Sequence, residues 1–233
     1  SLWIASVANV ALWRALERLP ELDNWRGLAF GIAFGIMIGA AHVALFSLLA
    51  WRRTLKPALA IVLLSAAVGG YFMLSYGIVI DRTMMVNVLL TDTREARELL
   101  SPRMLATVLL LGALPVALLW RVPLQWARIG RQWRRNVLLL VGSSATLLGA
   151  AGLSFQDLSS TMRNHTQLRY LINPLNSFYA LAVVGQKPVQ RNGAHVLPLG
   201  ADAKLSARAP DAKPPLMILV VGETARADHF GIN

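Results

Sequence analysis

The sequence contains no cysteine, which excludes disulfides, cysteine-ligated zinc and thiol catalysis. Charge is also scarce: Asp, Glu, Lys and Arg make up 15% of the 233 residues, 55% are apolar, and the mean hydropathy is +0.51. A soluble domain carries nearer a quarter charged residues to solvate its surface, so an ordinary water-soluble globule is excluded. The same shortage excludes disorder, because that much apolar surface would be left in water. Acids are the rarest charges, 12 against 23 Lys and Arg, and the net charge is +11. Such an excess could suit nucleic acid, but its placement points away from that partner.

Four stretches hold no charged residue: 27–51, 58–80, 104–120 and 136–156, of 25, 23, 17 and 21 residues. A helix crosses a hydrocarbon core of about 30 Å in about 20 residues. Backbone groups in lipid must be paired internally, so all four are expected to be transmembrane helices. A fifth run, 2–13, is uncharged for only 12 residues. It is expected to be the outer half of a span that starts before Ser1, since the basic leader and A-x-A site of a signal peptide are not visible. Five spans put the two chain ends on opposite sides of a membrane.

Loops 52–57 and 121–135 carry three and five basic residues and no acid. Loops 14–26 and 81–103 carry three and four, each matched by as many acids. Short, densely basic loops face the cytoplasm, so everything after residue 156 is expected outside it. In the second span Gly31, Gly35 and Gly39 line one helix face, expected to pack against a neighbouring helix of the same chain. His42 in that span is expected to make a polar contact within the bundle. Residues 155–184 mix polar positions with Phe155, Leu168, Tyr170 and Phe178, a pattern of short interfacial helices. Asn173-Pro174 interrupts them. Residues 1–185 therefore read as a membrane domain with outer interfacial helices, 186–213 as a linker, and 214–233 as the start of another domain. There the run L-M-I-L-V-V, 216–221, bounded by Pro214-Pro215 and Gly222, has the look of a buried parallel strand. Glu223 would then sit at the strand's carboxyl end, where α/β sheets gather functional groups. A carboxylate there suits a cation such as zinc, and Thr224 suits a helix N-cap.

The segment V-V-G-E-T-A-R-A-D-H-F, residues 220–230, closely resembles the opening signature of the phosphoethanolamine transferases. These membrane enzymes decorate lipid A and include the colistin-resistance enzymes. Three further segments match in order. Asn9 with Leu12-Trp13 resembles the family's N-x-x-F-W, while Y-G-I-V-I-D-R-T-M-M-V-N-V-L-L-T-D-T-R-E-A (76–96) and R-N-H-T-Q-L-R-Y-L-I-N-P (163–174) resemble its outer segments.

The resemblance implies an α-helical membrane domain of five transmembrane helices, followed here by the first strand of an α/β/α periplasmic domain of the alkaline phosphatase superfamily. It implies a multi-pass protein of the bacterial inner membrane, with its C-terminal part periplasmic, acting as a monomer among membrane lipids. Phosphoethanolamine would pass from phosphatidylethanolamine to a threonine and then to a lipid A phosphate of lipopolysaccharide, with Zn2+ as cofactor. Glu223 matches the family's metal-binding glutamate. The family's nucleophilic threonine lies beyond Asn233, so the chain by itself is expected to be inactive, and Thr224 is expected to be a cap only. A lipopolysaccharide core or other glycan as acceptor stays open, as does a non-enzymatic membrane scaffold.

In the family, the positions matching Asn87, Thr91 and Glu95 face the lipid headgroup. Their i, i+4, i+8 spacing puts amide, hydroxyl and carboxylate on one stripe of a continuous helix, able to hold an ethanolamine ammonium and its phosphate. Asp92-Thr93-Arg94-Glu95 also fits a capping box, which would restart the helix and leave Glu95 to its first turn.

Overall fold

The structure, a computed structural model, describes residues 1–186. The expected strand 216–221, Glu223, Thr224 and all but the first residue of the expected linker lie outside the described residues. The described part is helical, without a strand among its residues. Four of its helices are long and apolar enough to cross a membrane: α3 (Trp25–Leu49), α4 (Leu55–Tyr76), the run Pro102–Arg121, and α9 (Ile129–Leu153). The third run consists of α7 (Pro102–Val108), a π-helical turn at Leu109–Ala113, and α8 (Leu114–Arg121). Pro115 has no N–H to return to the preceding turn, and the widened turn absorbs that loss.

The N-terminal run forms α1 (Leu2–Ser6), a 3-10 turn at Val7–Asn9, and α2 (Val10–Glu17). Among the described residues it is shorter than the four spans. The remaining helices are α5 (Arg82–Leu90), α6 (Thr93–Glu98), α10 (Phe155–Asn164) and α11 (Leu175–Gln186), with a 3-10 helix at Thr166–Leu171. Short helices after the last span, broken at Asn173-Pro174, match the sequence pattern.

Local signals fix the ends of the spans. Asn24 caps α3, its Oδ1 accepting from Gly27 N at 3.0 Å. Gly27 is needed at that turn, because a Cβ there would collide with the Leu22 backbone. Gly77, at φ 64°, ends α4 in the left-handed conformation that glycine adopts without cost. The last span starts earlier than its uncharged run suggests: α9 begins at Ile129, so Arg131, Arg134 and Arg135 ride on the helix rather than in a loop. Long basic side chains can reach water from a helix end.

Polar contacts sort the connections by end. Lys56 Nζ donates to the carbonyls of Trp120 (3.1 Å) and Val122 (2.9 Å), satisfying the last turn of α8 with a cation. The Ala50 carbonyl accepts from Gln132 Nε2 and Asn136 Nδ2, both at 3.1 Å. Both acid-free connections therefore share one end of the bundle. At the other end His165 Nε2 lies 3.4 Å from Glu21 Oε2, and Tyr71 Oη lies 2.8 Å from Ser101 Oγ. The core between them holds Leu12, Phe30, Phe34, Met37, Met73 and Leu168.

The glycine face departs from expectation. A Cβ on Gly35 would meet Trp13 at 3.3 Å, but nothing lies within 4 Å of one on Gly31 or Gly39. Among the described residues the stripe is therefore packed only at its centre. His42 is fully buried and its Nδ1 lies 2.8 Å from the Ile38 carbonyl, a contact within its own helix.

Candidate functional site

The end of the bundle carrying Glu21 and His165 also carries the residues singled out for substrate. Asp81 starts α5, its Oδ1 accepting from Met84 N at 2.8 Å. Asn87 occupies the last turn of α5 and is exposed. Thr91 is the C-cap, with extended backbone (φ −60°, ψ 129°), and its Oγ1 donates to the Asn87 carbonyl at 2.8 Å. Asp92 then starts α6: its Oδ1 accepts from Arg94 N at 2.7 Å and from Glu95 N at 2.9 Å.

The helix is therefore broken between Thr91 and Glu95, which corrects the single stripe through Asn87, Thr91 and Glu95. The carboxylate of Asp92 offers two orphan N–H groups a partner in water, and that outcompetes continuing the first helix. Asn87 and Thr91 stay together at the end of α5, while Glu95 belongs to the first turn of α6. Thr91's hydroxyl proton is committed to the Asn87 carbonyl, which leaves its oxygen lone pairs and the Asn87 amide for a ligand.

A network that the motifs touch but do not spell out holds α5 in place. Asn176 Nδ2 on α11 donates to the Ile80 carbonyl at 2.6 Å, tying the entry of α5 to the helices that follow the last span. Asn173, fully buried, donates through Nδ2 to Ala8 O (2.9 Å) and Ala66 O (2.7 Å). Its backbone N–H donates to Asn9 Oδ1 at 2.8 Å, and Asn9 Nδ2 donates back to the Asn173 carbonyl at 2.7 Å and to Ile4 O at 2.7 Å. Trp13 Nε1 donates to Ala5 O at 2.9 Å. The N-x-x-L-W element at 9–13 and the N-P element at 173–174 thus meet, clamping α4 between them. An asparagine inside an apolar bundle is the signal that could have identified this pairing, because it must find partners there.

This arrangement presents an amide and a hydroxyl oxygen at the end of α5. Among the described residues no three His, Asp or Glu come together to hold a metal ion. Glu223, the expected zinc ligand, lies outside them.

Comparison with known proteins places the fold. Residues 38–189 match the family model described as phosphoethanolamine transferase EptA/EptB. The chain is 30% identical over 236 residues to phosphatidylethanolamine transferase Mcr-2 of Escherichia coli, covering 100% of this chain and 43% of that protein. It is 28% identical over 241 residues to phosphoethanolamine transferase EptA of Escherichia coli K12, covering 99% of this chain and 42% of that one. The chain therefore spans about two fifths of the length of these relatives. The integral membrane lipooligosaccharide phosphoethanolamine transferase A (EptA) of Neisseria meningitidis superposes with a TM-score of 0.73 at 24% identity, over 79% of this chain and 34% of that one. That likeness carries the helical membrane fold. With the family model matched over well more than half of its residues, the chain belongs to the EptA/EptB phosphoethanolamine transferase family.

Proposed function

We propose that this chain is the membrane part of an inner-membrane transferase that moves phosphoethanolamine from phosphatidylethanolamine to a lipid A phosphate. Family membership carries the proposal, together with relatives named phosphatidylethanolamine and phosphoethanolamine transferases. In this proposal helices α1 and α2 belong to a fifth span, the basic connections 52–57 and 121–135 face the cytoplasm, and residues 214–233 open a periplasmic catalytic domain. The arrangement of polar groups supports a holding role for the membrane domain. Asn87 and Thr91 present an amide and a hydroxyl oxygen at one end of the bundle, and Asn176 ties the entry of α5 to α11 there.

In this proposal a threonine of the full-length enzyme's catalytic domain takes the phosphoethanolamine group and passes it on. Zinc, when bound, polarises the phosphoryl group and lowers the pKa of the nucleophile. Glu223 would supply one carboxylate oxygen to it. One carboxylate does not make a zinc site, which needs three or four ligands, so Glu223 would be one ligand among several.

Mass spectrometry of lipid A from cells expressing the full-length protein tests the proposal. The wild type is expected to add phosphoethanolamine mass, Glu223→Ala to abolish the addition, and Thr224→Ala, which removes only a cap of about 1 kcal/mol, to preserve most of it. Unmodified lipid A with a mass shift on the core sugars would move the acceptor. Normal transfer by Glu223→Ala alongside loss in a folded Thr224→Ala would overturn the residue assignment.

A further inference from the structure

The end of the bundle that gathers the acid-free connections holds eight basic residues, three from 52–57 and five from 121–135. No acid occurs anywhere in 24–80 or in 99–156. Lys56 is committed to two carbonyls. Among the described residues, none of the seven arginines has a carboxylate oxygen within 4 Å. At this end a slot of about 110 Å³ separates α3 from α9, with Leu48 and Trp51 on one wall and Trp133, Val137 and Leu140 on the other. Each wall carries a Trp-Arg pair, Trp51-Arg52 and Trp133-Arg134, and both arginines are exposed. Arg134 stands one turn from Val137, on the slot side of α9, whereas Arg128 and Arg135 fall on the opposite side. That opposite side bears Leu138, Leu139 and Gly142, which share a cavity with the N-terminal run, so the slot does not depend on that run. Gln132 and Asn136, both buried, fix the walls by donating to the Ala50 carbonyl.

We propose that this slot binds one anionic phospholipid of the phosphatidylglycerol class, its phosphate held by Arg52 and Arg134 and the start of one acyl chain laid between Leu48 and Val137. Guanidinium forks match phosphate oxygens. Four of the seven tryptophans, 51, 120, 126 and 133, lie in or beside these connections. Indoles settle at headgroup level, which sets the neighbouring arginines at phosphate depth. Basic pockets between membrane helices select anionic headgroups, and the sign of the charge makes the selection here. A headgroup ammonium would find no carboxylate at this end, while a glycerol headgroup leaves the phosphate charge uncompensated for the arginines. The first turns of α4 and α9 carry no acid either, so both helix dipoles add to the same field. A second copy of the chain fits less well, because pairing through this face would set the arginines of one copy against those of the other. A soluble acidic protein would leave the apolar slot unfilled. The inference concerns the end of the bundle away from Asn87 and Thr91 and is independent of the transfer proposed above.

Native mass spectrometry of the full-length protein tests it, after release from bilayers of phosphatidylglycerol and phosphatidylcholine in equal amounts with matched acyl chains. Phosphatidylcholine keeps the donor of the proposed reaction out of the measurement. One retained phosphatidylglycerol is expected, favoured about tenfold: each arginine near a bilayer surface is worth about fivefold, and screening reduces the product of two. Arg52→Gln with Arg134→Gln should bring the preference close to one. Arg128→Gln with Arg135→Gln removes the same charge from the other side of α9 and should keep it. Val137→Phe should fill the slot and lose the retained lipid while the helical circular dichroism is unchanged. If Val137→Phe loses helix, Leu140→Phe fills the same slot and reads the same effect. Equal retention of the two lipids by the parent protein, or a preference that survives Arg52→Gln with Arg134→Gln, would overturn the proposal. So would equal losses from the two arginine pairs, which would mean a diffuse field without a site, retention undisturbed by a filled slot, or a lipid-free dimer.

Discussion

Asn9 and Asn173 stand 164 residues apart and exchange two hydrogen bonds inside an apolar bundle, through the side chain of Asn9 and the backbone of Asn173. A buried amide costs free energy unless it is paired, so the Asn9 side chain depends on the Asn173 backbone, while the Asn173 side chain donates to Ala8 and Ala66. Hydrogen bonds between membrane helices average only about 0.6 kcal/mol each. Asn9→Ala, which removes three and leaves the Asn173 backbone unpaired, is expected to cost about 2 kcal/mol, read as a lowered Tm in detergent. Gly69 reports on the same clamp from the other side, since a Cβ there would sit 2.7 Å from Asn173 Oδ1. Gly69→Ala should therefore lower the Tm, whereas Gly39→Ala, whose Cβ meets nothing within 4 Å, should leave it unchanged. Equal effects from the two alanines would mean that helix propensity, not the clamp, decides.

At the scale of elements, the break between α5 and α6 separates the polar groups into two sets. Asn87 and Thr91 share the end of α5, and Glu95 has its N–H held by Asp92 across the break. On the proposed function, Asn87→Ala and Thr91→Val in the full-length protein should each raise KM for the phosphoethanolamine donor about tenfold, the worth of one good hydrogen bond, with little change in kcat. Glu95→Gln should move neither, and a rise in KM for Glu95→Gln equal to that of Asn87→Ala would put all three on one surface again. The break was hard to read from the chain because 87, 91 and 95 satisfy helical spacing while 92–95 satisfy a cap. Only the competition for the N–H groups of Arg94 and Glu95 decides between them. The spans were legible for the opposite reason: a run of 17 or more residues without charge has one low-energy form in lipid. Their ends were less so. Charge marks where water begins and not where the helix stops, which is why α9 takes in Arg131, Arg134 and Arg135. The Asn9–Asn173 contact had no local signal beyond two polar residues in apolar company, and the small residues of α3 gave no sign that their face stays open.

Across the whole molecule, the connections separate into two ends of opposite character. Lys56 meets the last turn of α8, and Gln132 and Asn136 meet the end of α3, so the acid-free connections 52–57 and 121–135 lie together. The charge-balanced segments 14–26 and 81–103 lie at the other end with the short helices after α9. Positive charge is held on the side of synthesis, and the proposed orientation therefore puts the first end in the cytoplasm and the Asn87–Thr91 surface on the opposite side. The sequence carries no cysteine, so each single substitution supplies the only thiol. In intact cells, a membrane-impermeant maleimide should label Thr93→Cys and spare Arg53→Cys and Arg131→Cys, and in inverted vesicles the pattern should reverse. Arg53→Cys and Arg131→Cys must behave alike whichever way the protein faces, because backbone carbonyls at that end tie their connections to neighbouring helices. A split between those two would contradict the fold itself, whereas a joint reversal with Thr93→Cys would leave the fold standing and invert its orientation. In that case the Asn87–Thr91 surface would open to the cytoplasm, and the proposed periplasmic catalysis would fail.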